Sequence, residues 1–415
     1  MRITIDIRSL LEPYMSGVGE YTYNVLNRIL KTDHESQYHL FYNTRHSVKT
    51  KPPVFDYPNT KVFGYQYPNR WFNLSLRYFG WPRLEKLSGN PDVMWFPNFG
   101  FMNFASKWRA FVPRFRSGLR QSKCVHPNIF SIPYVLTVHD LAFERYPEFF
   151  TRTHRLWHKM IDCKKMALGA KKIIAVSEST KNDLIELYGV DSKKIEVIYE
   201  GVDIANLHPP RLGEAGEFST NIFKLEFVKQ KYKLPEKFIL FLGTIEPRKN
   251  IEAIIRAFDK VVNDQWSMFN EHHLVLAGGK GWRNEDIYRV WKQAKNKDKI
   301  KFIGYVDKED KPALYSLAEI FVFPSIYEGF GLPPLEAMAC GVPVIASNCS
   351  SLPEIVGDAG LLVNPYNINE LADAIREMLA SESLRNDFIE KGFEQAKKFS
   401  WDICAEKTLN ILQQI

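Results

Sequence analysis

Glu328 and Glu336 flank the turn Gly329-Phe330-Gly331-Leu332, in a segment from Ser325 to Glu336 where an apolar run gives way to a helix start. Glycines let the backbone approach a ligand closely, and the unpaired N–H groups of a helix start favour negative charge. Carboxylates repel phosphate, so the natural targets of the two glutamates are hydroxyls, for which an ionised carboxylate is a strong acceptor. Amides for phosphate combined with carboxylates for hydroxyls suit a nucleotide sugar. The same spacing also fits an ordinary strand, loop and helix in which Glu336 complements the helix dipole and Glu328 is solvated.

Three other groups of residues could join such a site. Arg248 and Lys249 follow the apolar run Phe238 to Leu242 and precede a helix starting near Asn250, which puts two cations at a sheet's carboxyl edge. Fixed cations there would stabilise the charge that builds on a departing diphosphate. His139 ends the apolar run Tyr134 to Val138; a histidine at a strand end is more often a cap or packing residue than a catalyst. Gly17 and Gly19 form an expected close-approach turn between the strand Ile3 to Ile7 and a helix from about Glu20 to Leu30; Thr22 stands where the dinucleotide fingerprint would have its third glycine. Gly278 and Gly279, and later Gly304 and Tyr305, follow successive strands of the second half and are either lining for a base or plain loop residues.

The elements that must position these residues alternate. Strands are expected at Ile3 to Ile7, Tyr38 to Tyr42, Val93 to Phe96, Tyr134 to Val138, Lys172 to Val176 and Ile195 to Ile198. A second series starts at Phe238 and continues at Leu274 to Ala277, Ile300 to Ile303, Ile320 to Phe323 and Val342 to Ala346. Strands alternating with helices predict parallel sheets covered by helices, and such sheets bind ligands beyond the carboxyl ends of their strands. Ser177 is expected to cap a helix from Glu178 to Leu187, and Asn206 to Gly216 lapses into proline, glycine and charge, as a linker would.

A chain of 415 residues that is 45% hydrophobic can bury two domain-sized cores. Its five cysteines show neither a C-x-x-C pair nor metal-ligand spacing, so a reduced, cytoplasmic protein is expected. No leader and no membrane-spanning run is visible. The net charge of +7 is unevenly spread: Val93 through His139 holds no acid, and Lys107, Arg109, Arg114, Arg116, Arg120 and Lys123 interleave there with Phe104, Trp108, Phe111 and Phe115. Such a stretch (101–123) fits an anionic membrane surface, an acceptor or a nucleic acid; Arg70, Trp71, Phe72, Arg77, Tyr78 and Phe79 could extend the same face.

The run Ser325 to Glu336 resembles the Glu-x7-Glu signature of retaining glycosyltransferases of the GT-B fold, above all glycosyltransferase family 4. Gly243-Thr244-Ile245-Glu246-Pro247-Arg248-Lys249-Asn250 and Thr137-Val138-His139-Asp140-Leu141 are most similar to its mannosyltransferase B-like branch. The resemblance implies an α/β protein with two doubly wound, Rossmann-like domains facing a central cleft. The domains are expected at 1–205 on the acceptor side and 233–392 on the nucleotide-sugar side. A linker region at 206–232 joins them, and a C-terminal helix at 393–415 crosses back to the first domain.

It also implies roles. Glu328 is expected against the donor hexose and Glu336 on the ribose hydroxyls. Backbone amides of Gly329, Phe330, Gly331 and Leu332 are expected on the sugar and diphosphate. Arg248 and Lys249 are expected on the diphosphate, with Arg248 standing in for an arginine that many relatives carry where this chain has Thr244. His139 is expected to contact the transition state, Gly17 and Gly19 to close over donor sugar and phosphate, and Gly278, Gly304 and Tyr305 to line the base pocket. The implied donor is GDP-mannose, with a UDP-sugar as the alternative, and the implied acceptor a polysaccharide or lipid-linked glycan. No metal or other cofactor is expected, since no Asp-x-Asp pair is present to clamp an ion to the diphosphate. The rivals are a nucleotide-sugar-binding scaffold without turnover and a nucleic-acid-binding module, which would leave the glutamate signature unused.

Overall fold

A computed structural model describes residues 1–11, 15–44, 52–100, 132–203, 218–263 and 269–415. The basic aromatic region 101–123 and the segment Asn206 to Gly216 lie outside the described residues. The first half forms a seven-stranded parallel sheet of β1 (Arg2–Asp6), β2 (Gln37–Asn43), β3 (Thr60–Tyr65), β4 (Val93–Phe96), β5 (Tyr134–Val138), β6 (Lys172–Ala175) and β7 (Ile195–Val197), in the order β3-β2-β1-β4-β5-β6-β7. The second half forms a six-stranded parallel sheet of β8 (Phe238–Leu242), β9 (His273–Ala277), β10 (Ile300–Gly304), β11 (Ile320–Phe323), β12 (Val344–Ser347) and β13 (Gly360–Val363), in the order β10-β9-β8-β11-β12-β13. Both orders reverse once, between β1 and β4 and between β8 and β11, as in doubly wound sheets.

Side chains of the first sheet alternate between two cores. Ile3, Ile5, Val93, Trp95 and Val135 pack with Tyr21, Val25 and Ile29 of helix Gly17–Thr32. Met94, Phe96, Leu136 and Val138 face the opposite core with Leu76, Met166 and Leu184. Helix Trp401–Gln413 belongs to the first group: Trp401, Cys404, Ile411 and Leu412 are buried there, so the chain's last helix packs on helix Gly17–Thr32. The returning segment 393–415 holds the end of helix Glu382–Ala396 and the whole of helix Trp401–Gln413, and the latter packs on the first half. Within the expected linker, residues Phe218–Lys231 are helical; Val228 is buried in the core of the second half and Lys231 pairs with Asp307 at 2.6 Å.

Two strands escaped the sequence reading, and both are sheet edges. In β3 no side chain is buried, and β13 is a four-residue strand with only Val363 buried. β3 lacks the continuous apolar run that marks a strand buried on both faces, and the apolar run of β13 is very short. The expected turn at Gly17 and Gly19 is also corrected: both glycines lie in the first turn of helix Gly17–Thr32, whose N-cap is Ser16, its hydroxyl accepting from Gly19 N at 3.3 Å. Glycine is a poor helix former in isolation, but a capped helix start packed on a sheet tolerates it.

Candidate active site at the facing sheet edges

The adjacency of β8 and β11 brings together two loops distant in sequence. After β8 the chain makes a short 3-10 turn, Pro247–Lys249, that ends at Asn250 in the left-handed region (φ 56°). The Asn250 amide donates to the carbonyls of Pro324 (3.1 Å) and Pro365 (2.7 Å), and Ile326 N donates to Arg248 O at 2.9 Å. This tie sets the cations beneath the loop that follows β11.

Glu328 accepts from both. Lys249 Nζ lies 2.6 Å from its Oε1 and Arg248 Nη1 2.9 Å from its Oε2; the same Nη1 donates to Tyr327 O at 2.7 Å. Arg248 also pairs with Glu246 at 2.9 Å, and Lys249 Nζ stands 4.8 Å from the centre of the Phe323 ring. All four charged groups are buried or nearly so, which leaves two cations and two carboxylates in a compact, low-dielectric cluster. Burial pushes the Glu328 carboxyl up, but Arg248 and Lys249 outweigh it and hold it below the usual carboxylate range. Burial pulls Lys249 down; Glu328 opposes that shift only in part, and neighbouring Arg248 adds to it. For Arg248 burial opposes the charge, but Glu328 and Glu246 prevail and push it up. Glu328 is therefore not the solvated glutamate of the plain reading, and its side chain is turned onto the cations.

Glu336 occupies a second cluster. Its carboxylate accepts from Tyr315 Oη at 2.9 Å and pairs with Lys311 at 3.1 Å. Across the cleft, Glu20 of helix Gly17–Thr32 pairs with Lys308 at 2.9 Å and lies 3.9 Å from Lys311. Burial raises Glu336 above the usual carboxylate range; Lys311 opposes that shift and the charge of Glu20 adds to it. Gly17 sits at the start of the Glu20 helix, and a Cβ added there would meet nothing within 4 Å, whereas one at Gly19 would press on Ser9 O at 3.2 Å. Gly17 thus offers bare backbone, and Gly19 is a packing position.

The loop of the glutamates is clamped from both halves. Glu328 N donates to Ser350 Oγ at 2.9 Å, and Ser351 Oγ donates to Glu328 O and Phe330 O at 3.1 and 2.5 Å. From the first half, Ser177 Oγ donates to Gly329 O at 2.6 Å, and Tyr327 Oη donates to Asp183 at 2.5 Å while accepting from Leu141 N at 3.2 Å. A Cβ on Gly329 would fall 1.9 Å from His139 O, so glycine is required there for the halves to meet. Gly331 caps the following helix, Leu332–Ala339, at φ 120°, a conformation reserved for glycine. The Phe330 side chain is buried against Tyr199 and Phe399, which leaves its backbone for any ligand role.

The remaining expected positions divide. Gly278 (φ 137°) lies so close to Gly243 that a Cβ would reach 1.9 Å from its carbonyl oxygen, so it joins the ends of β8 and β9. Gly304 (φ 77°) faces open space, and Tyr305 beside it is 43% exposed. Sequence reasoning passed over Glu20, Glu246, Lys308, Lys311, Ser350 and Ser351; none carries a local signal, because each is defined by a partner on a distant segment.

Comparison with known proteins agrees with this geometry. The model for Glycosyltransferase Family 4 matches residues 15–206, and that for Glycosyl transferases group 1 matches residues 223–395. The O-antigen chain mannosyltransferase B of Escherichia coli is 34% identical over 282 residues, which cover 66% of this chain and 69% of that protein. Among solved structures, the sucrose-phosphate synthase of Thermosynechococcus elongatus superposes with a TM-score of 0.72 at 20% identity, covering 100% of this chain and 98% of that one. Anabaena HepE in complex with UDP-glucose gives 0.67 at 17%, covering 100% of both chains. With the signature glutamates at one sheet edge and the two switch points facing each other, the chain belongs to glycosyltransferase family 4 and has the GT-B architecture.

Proposed function

We propose that this protein is a retaining hexosyltransferase that moves mannose from GDP-mannose onto a growing polysaccharide or lipid-linked oligosaccharide without a metal ion. The observation that carries the reading is the pair Arg248 and Lys249, held side by side on Glu328 at the switch point of the second sheet. A diphosphate placed there would exchange the carboxylate for phosphate oxygens and gain both cations, which supply the charge a divalent ion would otherwise bring. Turnover then proceeds by same-face attack. The bond from the anomeric carbon to the diphosphate oxygen breaks, that oxygen takes the acceptor hydroxyl's proton, and the new glycosidic bond forms on the same face. Likeness to the Escherichia coli mannosyltransferase favours mannose; the fold shared with HepE, which was solved with UDP-glucose, keeps a UDP-sugar as the alternative donor.

The test is nucleotide release from a panel of GDP- and UDP-sugars in excess chelator, with and without mannan-type oligosaccharides. Release from GDP-mannose, enhanced by acceptor, is the expected result. Release from a UDP-sugar alone would reassign the base, and tight nucleotide binding with no release from any donor would favour the scaffold.

Glu336 is read as the ribose acceptor. Glu336→Ala should weaken GDP binding about 30-fold, the scale of one hydrogen bond to a charged group. Because the Glu336 carboxyl is raised, it becomes a neutral, poorer acceptor on acidification sooner than an ordinary glutamate, so GDP affinity should start to fall at a higher pH than a free carboxylate would dictate. Calorimetric titration across mildly acid pH reads both effects; unchanged affinity in the variant would remove the ribose role.

A peripheral membrane contact fits a lipid-linked acceptor. No helix among the described residues is long and apolar enough to cross a membrane. Yet helix Asn69–Phe79 and the turn after it leave Trp71, Phe79 and Trp81 exposed at 74%, 69% and 69%, around an apolar cavity of about 640 Å3. Residues 57–84 contain no acid, while Arg70 and Arg83 flank the rings. Aromatic rings with flanking cations are the chemistry of an anionic interface. Replacing Trp71, Phe79 and Trp81 together by serine should cut flotation with anionic vesicles at least about tenfold, on the scale of lost apolar burial; equal flotation would sink this assignment.

A further inference from the structure

Glu20 stands in the first turn of helix Gly17–Thr32, where an acidic side chain would by itself only complement the helix dipole. The structure gives it a second task. Its two carboxylate oxygens are divided between two lysines of the other half: Oε1 lies 2.9 Å from Lys308 Nζ and Oε2 3.9 Å from Lys311 Nζ. Lys308 belongs to the 3-10 turn Lys308–Asp310, and Lys311 opens the helix Lys311–Ser316 that follows. Like charges three residues apart on such a path repel each other, and Glu20 separates them.

Lys311 is also the cation of Glu336. Its Nζ lies 3.1 Å from Glu336 Oε1 and 3.5 Å from Oε2, and Tyr315 Oη donates to Oε2 at 2.9 Å. A carboxylate has about four acceptor sites, two on each oxygen. The short contacts, one per oxygen, leave a site open on each, side by side, as the adjacent hydroxyls of a ribose require. The electrostatics agree with a shared lysine. Burial pushes Glu20 up, but Lys311 and Lys308 outweigh it and hold it below the usual carboxylate range. Burial pulls Lys311 down, but Glu336 and Glu20 outweigh it and push it up.

We propose that Glu20 is a positioning residue for the nucleotide's ribose: by sharing Lys311 with Glu336 across the cleft, it keeps an edge of the Glu336 carboxylate open for the 2′ and 3′ hydroxyls. A lysine whose sole partner is one carboxylate settles over both of its oxygens and competes with incoming hydroxyls. Drawn toward Glu20, Lys311 stays nearer to Oε1. Lys308 holds the other oxygen of Glu20, so two carboxylates and two ammonium groups balance when the halves are together. The ribose site of the second half is thus completed by a residue of the first.

The inference rests on the reading of Glu336 as the ribose acceptor, and the test separates the two. Affinities for GDP and 2′-deoxy-GDP, and for UDP and 2′-deoxy-UDP, are measured by calorimetric titration at mildly alkaline pH. The unaltered protein should prefer the ribonucleotide at least about tenfold, the scale of one hydrogen bond to a charged group. In Glu20→Gln that preference should fall at least about threefold, the scale of one partly exposed ion pair, with the deoxynucleotide's affinity changed less than about twofold. If Glu20→Gln does not fold, Glu20→Asp, which keeps an acid at the helix start but draws it back by one methylene, should lower the preference in the same way. An unchanged preference in either folded variant would overturn the proposal and leave the ribose role of Glu336 standing. So would equal weakening of both nucleotides, the mark of lost packing alone. Equal affinity for ribo- and deoxynucleotide in the unaltered protein, or no binding of either base, would remove the ribose reading and this inference with it.

Discussion

Lys249→Ala is expected to lower kcat by about a thousandfold, the upper range for removing one preorganised group that meets charge in the transition state. Lys249 is one of two cations over Glu328 and is almost wholly enclosed, so no water or mobile side chain can replace its charge. Binding of the donor should suffer less than turnover, because Arg248 remains to hold the ground-state diphosphate and the charge on the bridging oxygen grows only as the bond breaks. Folding should survive, since Glu328 keeps Arg248 at 2.9 Å. Steady-state kinetics on the purified variant, with circular dichroism to confirm the fold, decides the matter: turnover within about threefold of the parent in a folded protein would disprove the diphosphate role.

Glu328→Gln should be the most destabilising change in the site. The glutamine keeps the size but removes the negative charge shared by Arg248 and Lys249, leaving two buried cations with Glu246 as their remaining close counter-ion. Breaking a buried pair in this way costs about 3–5 kcal/mol. The pH dependence has a definite sign. The Glu328 carboxyl is held below its ordinary value in the folded protein, so its contribution is complete above the unfolded value and is lost as pH falls through the folded one. The gap between parent and variant in urea denaturation should therefore be full at pH 7 and close in acid. GDP should raise the variant's melting temperature more than the parent's, because its phosphates replace the missing anion. An unchanged urea midpoint at pH 7 would show that the cluster is not the counter-ion system described.

Much of this molecule was legible in the chain. The central strands β5, β8 and β11 are buried on both faces, and that environment writes itself as short, largely apolar runs. Ser177 caps helix Glu178–Tyr188 as its residue type predicts, and Gly331 and Gly341 occupy positive-φ positions where side chains are strained. What the chain could not announce was β3, an edge strand without a buried side chain, β13, whose apolar run is only four residues long, and the helical start at Gly17, where Ser16 and packing on the sheet override glycine's low propensity.

The sequence by itself determined which residue types stand at the carboxyl ends of the strands, because hydrophobic period and turn chemistry are local. Only the tertiary structure decided whom they face. The Glu328 carboxylate accepts from Lys249, 79 positions away. Glu336 shares Lys311 with Glu20 from the other sheet, and Gly329 is held to glycine by the His139 backbone. Charge pairing and backbone approach depend on distances of a few ångströms, which the order of the strands sets and the order of the residues does not.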